Sequence, residues 1–321
     1  KYCISVANGT DALEIAIESL NLPKNSEAIV PVNTWISAAA AVVRNGLKLV
    51  FCDINLKDYS INLNDLKRKI NSKTKLIIPV HLYGIPSNMH EIKKLSKKYG
   101  IKIIEDCAQS HGTLINQKHV GTFGDLGTFS FFPSKNLGCL GDGGAIITDN
   151  KKLSLVCRRI KNHGSLYKYD HQVIGRNSRL DTIQAVILNA KIKSLKSIIK
   201  KRKENAKLYF KYLNKFKEIS LIKLNKNYIN SYHQFVIRLN DRDKLRKFLK
   251  KKKIETMIHY PQMLNELKIF KKYLKKNQKF INSKNLGKKI LSLPISEDHK
   301  KNDILYVIKM INEYYKKKNL S

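Results

Sequence analysis

No stretch of this 321-residue sequence is long and apolar enough to cross a bilayer. The longest uncharged apolar run, Ile36 to Val43, falls far short of the roughly 20 residues a spanning helix needs. Cysteine is scarce. The five present (Cys3, Cys52, Cys107, Cys139 and Cys157) are odd in number and show no Cys-x-x-Cys spacing. That argues against a zinc site and a disulfide framework, and fits a reducing cytoplasm. Acidic residues are also few, 25 against 62 lysines and arginines, which leaves a formal charge of +37. Such a charge suggests nucleic acid, but two further shortages argue otherwise. Only ten of the basic residues are arginine, the preferred reader of bases. No helix-turn-helix, zinc-finger or RNP-type sequence is present either. Of the 52 lysines, 33 lie after residue 190, in runs such as LRKFLKKKKI and IFKKYLKKNQKF, where they fill the polar faces of helical patterns. This reads as a solvated lysine face.

What is present points to a folded α/β protein. Hydrophobic residues make up 42%, too many for a disordered chain. The length suits one large and one smaller domain. DALEIAIESL spaces Leu13, Ala16, Ile17 and Leu20 as on one helix face. AIVPV, LKLVFCDI, KLIIPVHLYG and IKIIEDCAQ are short apolar runs ending in polar or turn residues, with helical stretches such as NLNDLKRKI and MHEIKKLSKKYG between them. This alternation predicts a mainly parallel sheet covered by helices on both faces. His81, Tyr83, Asp106, Gln109, Ser130 and Lys135 fall at or beyond the strand ends, where such sheets gather binding groups. A long helical pattern runs from Asp181 to Phe216, and a smaller α+β section follows, with SYHQFVIRL as its clearest strand. The expected division is a large domain over residues 1–205 and a small one over 206–321. The sequence opens at KYCISVANGT, with no signal peptide visible, and reads there as the middle of a domain.

The chemistry centres on GTFSFFPSKNLGCLGDGG, which sets Lys135 between a buried-looking strand and a glycine turn. A strand ending in an acid (IIEDCAQ), followed by one leading to a lysine, is what a pyridoxal phosphate enzyme requires. The lysine forms a Schiff base with the cofactor aldehyde, and the acid keeps the pyridine nitrogen protonated. In ANGTDAL an Asn8-Gly9 turn leads into a helix start that could hold a phosphate. Ser130 could add a hydroxyl, and Trp35, the single tryptophan, could cover the ring. Each piece alone has a plainer reading: the Gly-Thr start as an N-cap, Asp106 as a helix cap, Trp35 as core, Lys135 as a surface lysine. The ordered combination carries the weight.

The motifs NGTDAL, PVHLYGIPSNM, IIEDCAQSHG, GDLGTFSFFPSKNLGCLGDGGAI, GRNSRLDTIQAVIL, HYP and LSLPIS occur in this order. In this the sequence resembles the DegT/DnrJ/EryC1/StrS sugar aminotransferases across nearly its whole length. The resemblance implies fold type I: a large pyridoxal phosphate-binding domain with a mainly parallel mixed sheet between helices, plus a smaller C-terminal α+β domain. It implies that Lys135 is the Schiff-base lysine, that the glycines of GDGG let the chain turn tightly beneath the cofactor, and that Asp106 pairs with the pyridine nitrogen. Gln109 would contact the ring oxygen. Gly9, Thr10 and Asp11 (through backbone amides) and Ser130 would hold the phosphate, and Trp35 would stack on the ring. In a homodimer with shared active sites, Asn177 would reach the phosphate in the neighbouring chain. Arg179 would take the donor's carboxylate, and His163, His259 and Tyr260 would lie near the sugar nucleotide.

The implied reaction has two stages. Glutamate leaves its amino group and departs as 2-oxoglutarate. A nucleotide-linked keto-hexose then takes the group, giving an amino sugar for surface polysaccharide, with a 3-keto substrate favoured over a 4-keto one. No metal and no membrane is implied. The family carries an N-terminal helical segment before the position of Lys1, so the resemblance also implies a fragment or an incomplete gene model. A related dehydratase would have histidine where Lys135 stands, and a regulatory relative would be expected to lose cofactor contacts that this sequence keeps.

The diffuse charge generates a prediction. Any association with DNA should be weak and fall steeply with added salt in a binding titration, as counterion release requires. Nanomolar binding to one defined sequence near physiological salt would reverse this reading.

Overall fold

The computed structural model describes residues 1–223, 225–276 and 278–318. Its first half alternates strands and helices: β1 (Tyr2–Val6), α1 (Gly9–Ser19), β2 (Glu27–Pro31), α2 (Ser37–Arg44), β3 (Lys48–Cys52), α3 (Leu63–Lys69), β4 (Thr74–Ile77), α4 (Met89–Tyr99) and β5 (Lys102–Asp106). A short hairpin, β6 (Leu114–Ile115) and β7 (Lys118–His119), precedes β8 (Leu126–Ser130), β9 (Gly144–Thr148) and α5 (Lys151–Lys161). Then come α6 (Thr182–Ile192), α7 (Leu195–Leu213), β10 (Ser220–Leu221), β11 (Tyr228–Ile229), β12 (Phe235–Arg238), α8 (Arg242–Lys251), β13 (Ile290–Leu293) and α9 (Lys301–Lys318). No described helix is long and apolar enough to cross a membrane.

Seven strands form one sheet in the order β1-β9-β8-β5-β4-β2-β3. Only β9 runs against the rest, pairing antiparallel with both β1 and β8. The strands read as continuous apolar runs because both faces are buried. Side chains alternate between two cores. Ala28, Val30, Leu76, Ile104 and Ile146 join the one beneath α1 and α2. Ile29, Ile77, Ile103 and Ala145 join the one beneath α4. Removing the side chain of a residue such as Ile77 beyond Cβ would cost about 2–5 kcal/mol.

A third core begins at Ala206 and joins α7, α8 and α9 to a three-stranded antiparallel sheet, β10-β12-β13. The later chain also returns to the first half. Met263, Leu264, Phe270, Phe280 and Leu286 pack into the core beneath α1 and α2, and β11 pairs with β6.

Three local expectations change. The long helical pattern after Asp181 is two helices, broken at Lys193 and Ser194. In SYHQFVIRL only Phe235–Arg238 is strand, and Tyr232, at φ 49°, turns the chain just before it. The glycines of GDGG are not in left-handed conformations. The reason at Gly144 is space: a Cβ there would lie 2.4 Å from the Asn8 carbonyl oxygen. Asn8 is the N-cap of α1, with extended backbone and its side chain accepting from the Asp11 amide at 2.8 Å. Gly144 therefore lets β9 pass directly against the start of α1.

Gly144→Ala should destabilise the protein by about 1–3 kcal/mol, as overpacking against backbone does. Urea unfolding followed by circular dichroism measures it. An unchanged midpoint would show that the approach of Asn8 to β9 is not a constraint.

Candidate active site

The carboxyl ends of β4, β5 and β8 and the first residues of α1 surround a cavity of about 440 Å³. It brings together nine residues singled out in the sequence: Gly9, Thr10, Trp35, Asp106, Gln109, Ser130, Lys135, His259 and Tyr260. A larger hollow of about 1020 Å³, lined by Glu27, Asp65, Arg68, Lys69 and lysines of the 272–279 segment, also sets a half-buried amine near a buried acid, Lys69 Nζ lying 3.7 Å from Asp65, but it gathers none of the residues singled out in the sequence.

Asp106 ends β5, which pairs in parallel with β8 and sets Asp106 opposite Thr128. Its Oδ1 accepts from the Ala108 amide at 3.0 Å, and its Oδ2 has no partner among the described residues. Burial pushes its carboxyl up, while the Ala108 amide and the charges of Lys135 and His81 hold it back. Lys135 lies five residues beyond the end of β8. Burial pushes its amine down, and Asp106 partly restores it.

The neighbouring Glu105 behaves in the opposite way. Burial raises its pKa, but hydrogen bonds from His81 and from backbone amides win, and its carboxyl falls below the usual range. Its oxygens take the His81 Nε2 at 3.0 Å and the amides of Gly121, Phe123 and Gly124 at 2.8, 2.7 and 2.7 Å. His81 Nδ1 in turn accepts from the Ser87 amide at 3.0 Å. Ligand atoms of His81, Glu105 and Cys107 lie within 4.8 Å of one another, but these bonds occupy both Glu105 oxygens and both His81 nitrogens. Burial also keeps the Cys107 thiol protonated. The cluster is a hydrogen-bonded knot that braces β5 behind Asp106.

At the other end of the cavity, Gly9 touches β8: a Cβ on it would lie 2.6 Å from the Ser130 Cβ. The amides of Gly9 and Thr10 have no acceptor among the described residues, and the Thr10 hydroxyl meets that of Ser37 at 2.7 Å. Asp11 departs from expectation. It does not line the cavity, and its amide is already taken by the Asn8 cap. Trp35 is 58% exposed, so it is not core, and its ring lies 5.6 Å from that of Tyr260. Gln109 links the remaining parts. Its Oε1 accepts from the Tyr83 amide at 2.8 Å and its Nε2 donates to the Tyr260 hydroxyl at 3.1 Å, leaving one N–H uncommitted. Tyr83, at φ 63° in a region disfavoured for aromatics, donates its hydroxyl to the His259 carbonyl. Burial pushes His259 down to about 4 and Tyr260 up to about 12.

His163, Asn177 and Arg179 do not line this cavity within the chain. They are exposed, on a segment where Arg179 Nε donates to Asn177 Oδ1 at 3.0 Å and the His163 amide bonds to the Arg176 carbonyl. Ser134, His233 and Gln234 line the cavity without having been singled out, and Asn8, read only as part of the turn before α1, lines it too. For His233 a signal existed: a histidine two residues before the apolar strand that starts at Phe235.

The residues present fit pyridoxal 5′-phosphate. Asp106 offers a buried carboxylate with one oxygen free to take a ring N–H. The start of α1 offers two unpaired amides and a space that a Cβ on Gly9 would fill. A half-buried amine, pushed down by burial, lines the same cavity within electrostatic reach of that acid. An electron-drawing ring cofactor requires this pairing, and fold type I pyridoxal phosphate enzymes are the class that the fold and site define. The chain belongs to the DegT/DnrJ/EryC1/StrS aminotransferase family, whose model matches residues 1–312. It is a pyridoxal phosphate-dependent aminotransferase.

Among curated relatives, the chain is 39% identical over 308 residues to UDP-N-acetyl-3-dehydro-α-D-glucosamine 3-aminotransferase of Acidithiobacillus ferrooxidans, covering 96% of this chain and 83% of that protein. It is 38% identical over 315 residues to dTDP-3-amino-3,6-dideoxy-α-D-galactopyranose transaminase of Aneurinibacillus thermoaerophilus, covering 98% and 86%. Among solved structures, S. venezuelae DesV superposes with a TM-score of 0.95 at 32% identity, covering 98% of this chain and 85% of that one.

Borohydride reduction of the cofactor-loaded protein should fix the cofactor to Lys135, read by peptide mass. Labelling of a different lysine would displace Lys135 from the site. Asp106→Asn should lower turnover by roughly 10²–10³-fold, the size of effect that a preorganised charge contributes. Near-normal turnover would remove Asp106 from the chemistry.

Proposed function

We propose that this aminotransferase moves an amino group from glutamate to a nucleotide-linked keto-hexose, with the 3-keto position favoured, in the synthesis of an amino sugar for surface polysaccharide. The observation that carries the reading is the pairing of Lys135 with Asp106 in one cavity that opens onto the start of α1. The 3-keto preference is supported by the two relatives above, whose names specify chemistry at position 3.

When bound, pyridoxal phosphate supplies the carbonyl that takes up amines and the ring that draws electrons from the reacting carbon. Asp106 holds a proton at the ring nitrogen. The amides of Gly9 and Thr10 hold the phosphate, with the Ser130 hydroxyl beside them, favoured by the positive end of the helix. In place of the expected Asp11 amide, Asn8 serves this end indirectly by capping the first turn. Gln109 would offer its uncommitted N–H to the ring oxygen, and Trp35 would stack on the ring. Lys135 moves the proton at the reacting carbon. Its burial favours the neutral amine that a general base requires. His259 and Tyr260, which line the same cavity, would lie near the sugar nucleotide.

The same reading makes the protein a homodimer with shared sites. On α6 only Leu188 is buried, while Ile183, Val186 and Ile192 are 67%, 59% and 54% exposed, and nearby Ile174 is 93% exposed. An apolar face of this kind suits a second copy. Asn177 and Arg179 lie on the chain between Ile174 and α6, and so reach the neighbouring cavity, with His163 beside them. We take residues 1–205 as the cofactor-binding unit and 206–321 as the small unit, which is supported by the separate core that begins at Ala206. A cytoplasmic setting is supported by five unpaired cysteines, four of them buried.

Screening UDP- and dTDP-linked 3-keto and 4-keto sugars with glutamate, with mass detection of the amino product, tests the substrate. A product from 4-keto sugars alone would overturn the 3-keto preference. Subunit exchange tests the shared site. Lys135→Ala and Asn177→Ala are each expected to be inactive. After complete random exchange, about a quarter of all sites regain wild-type composition, and activity should recover toward that fraction. Confirmed exchange with no recovery would place Asn177 in its own chain's site or in none.

A further inference from the structure

His233 has no role in the chemistry above, yet it lines the cavity beside Lys135. It also lines a neighbouring cavity of about 840 Å³, and the two share Phe132, Ser134, His233, Gln234 and His259. The ring therefore stands where the two spaces meet.

Its hydrogen bonding fixes which nitrogen carries the proton. His233 Nδ1 lies 3.4 Å from Oδ1 of Asn136, the residue after Lys135. The Asn136 amide faces one way only. Its Nδ2 donates to the Ser231 carbonyl at 2.9 Å, and turning it over would set oxygen against oxygen. The amide oxygen facing His233 can only accept, so Nδ1 holds the hydrogen. The ring is neutral as well. Burial pushes His233 well below the usual histidine range, and Lys135, Arg202, His111 and His259 push the same way. A neutral ring with its hydrogen on Nδ1 carries a lone pair on Nε2. That nitrogen has no partner among the described residues and is not sealed from the cavity.

We propose that Nε2 of His233 accepts a hydrogen bond from a hydroxyl of the acceptor sugar, which makes His233 a specificity-determining residue for the amino-accepting half of the reaction. The inference rests on the sugar reading given above. The lone pair selects its partner. Carboxylates of the amino donor and phosphates of a nucleotide only accept, so a neutral acceptor repels them. A sugar hydroxyl donates. Asn136 couples this choice to the chemistry, because it is bonded in sequence to Lys135 and fixes the ring through one hydrogen bond.

Two measurements on the cofactor-loaded protein test it. Long-range ¹H–¹⁵N spectra should show His233 with its hydrogen on Nδ1, and the Nε2–H form would overturn the assignment without any substrate. Stopped-flow absorbance then separates the half-reactions, with glutamate as one substrate and UDP-N-acetyl-3-dehydroglucosamine as the other. His233→Phe should change the glutamate half-reaction by no more than about twofold and weaken the sugar half-reaction by about tenfold or more, the effect of leaving a hydroxyl unpaired. His233→Gln, which restores an oxygen near the Nε2 position, should recover much of the loss, and His233→Asn should not. Equal losses in both half-reactions, or none in either, would overturn the proposal while leaving the sugar reading intact. Failure of the wild-type protein to aminate any UDP- or dTDP-linked keto sugar would overturn the sugar reading, and this inference with it.

Discussion

The site depends on holding one acid and one amine largely out of water while leaving each an open side. Burial alone would drive both toward neutrality, the acid upward and the amine downward. Their mutual attraction limits both shifts. What sets the acid's environment is the count of donors around it. Glu105 and Asp106 are adjacent on β5, both buried, and shift in opposite directions. Glu105 receives His81 and three backbone amides, whereas Asp106 receives one amide. Alternation along a strand puts the two carboxylates on opposite faces, so one braces the scaffold and its neighbour remains available for chemistry.

The same alternation explains why so much of the large sheet was legible. Strands buried on both faces read as unbroken apolar runs, and Ile29 and Val30, or Ile103 and Ile104, serve different cores without changing residue type. The lysine block was legible because several uncommon residues fall there in a fixed order. The division of α6 from α7 was not, since Lys193 and Ser194 are neither glycine nor proline and both keep right-handed helical backbone, so the break leaves no mark in residue type. The conformation of Tyr83 was hidden for a similar reason: its left-handed backbone is held by Gln109 and His259, distant in sequence.

Residues whose role is set by a partner were the hardest to read. Asp11 follows the helix-start pattern, yet its amide is committed to Asn8, which only the cap geometry reveals. His163, Asn177 and Arg179 sit on an exposed segment, and within one chain Arg179 meets Asn177 and His163 meets Arg176, while none of the three lines the cavity with Lys135. His233 becomes informative only through Asn136, because a histidine's capacity to accept or donate is decided by what holds its other nitrogen.

The cradle at the start of α1 is made almost wholly of main chain. Gly9 packs on Ser130, Gly144 packs on the Asn8 carbonyl, and the amides of Gly9 and Thr10 stay open. Main-chain atoms are the same whatever the codon, so the tolerance of this region to mutation is set by volume rather than by chemistry. A chain built this way can carry a heavily charged outer surface, with 33 lysines beyond residue 190, without altering its anchor for an anion. Selection at the anchor then acts on the absence of a single carbon atom.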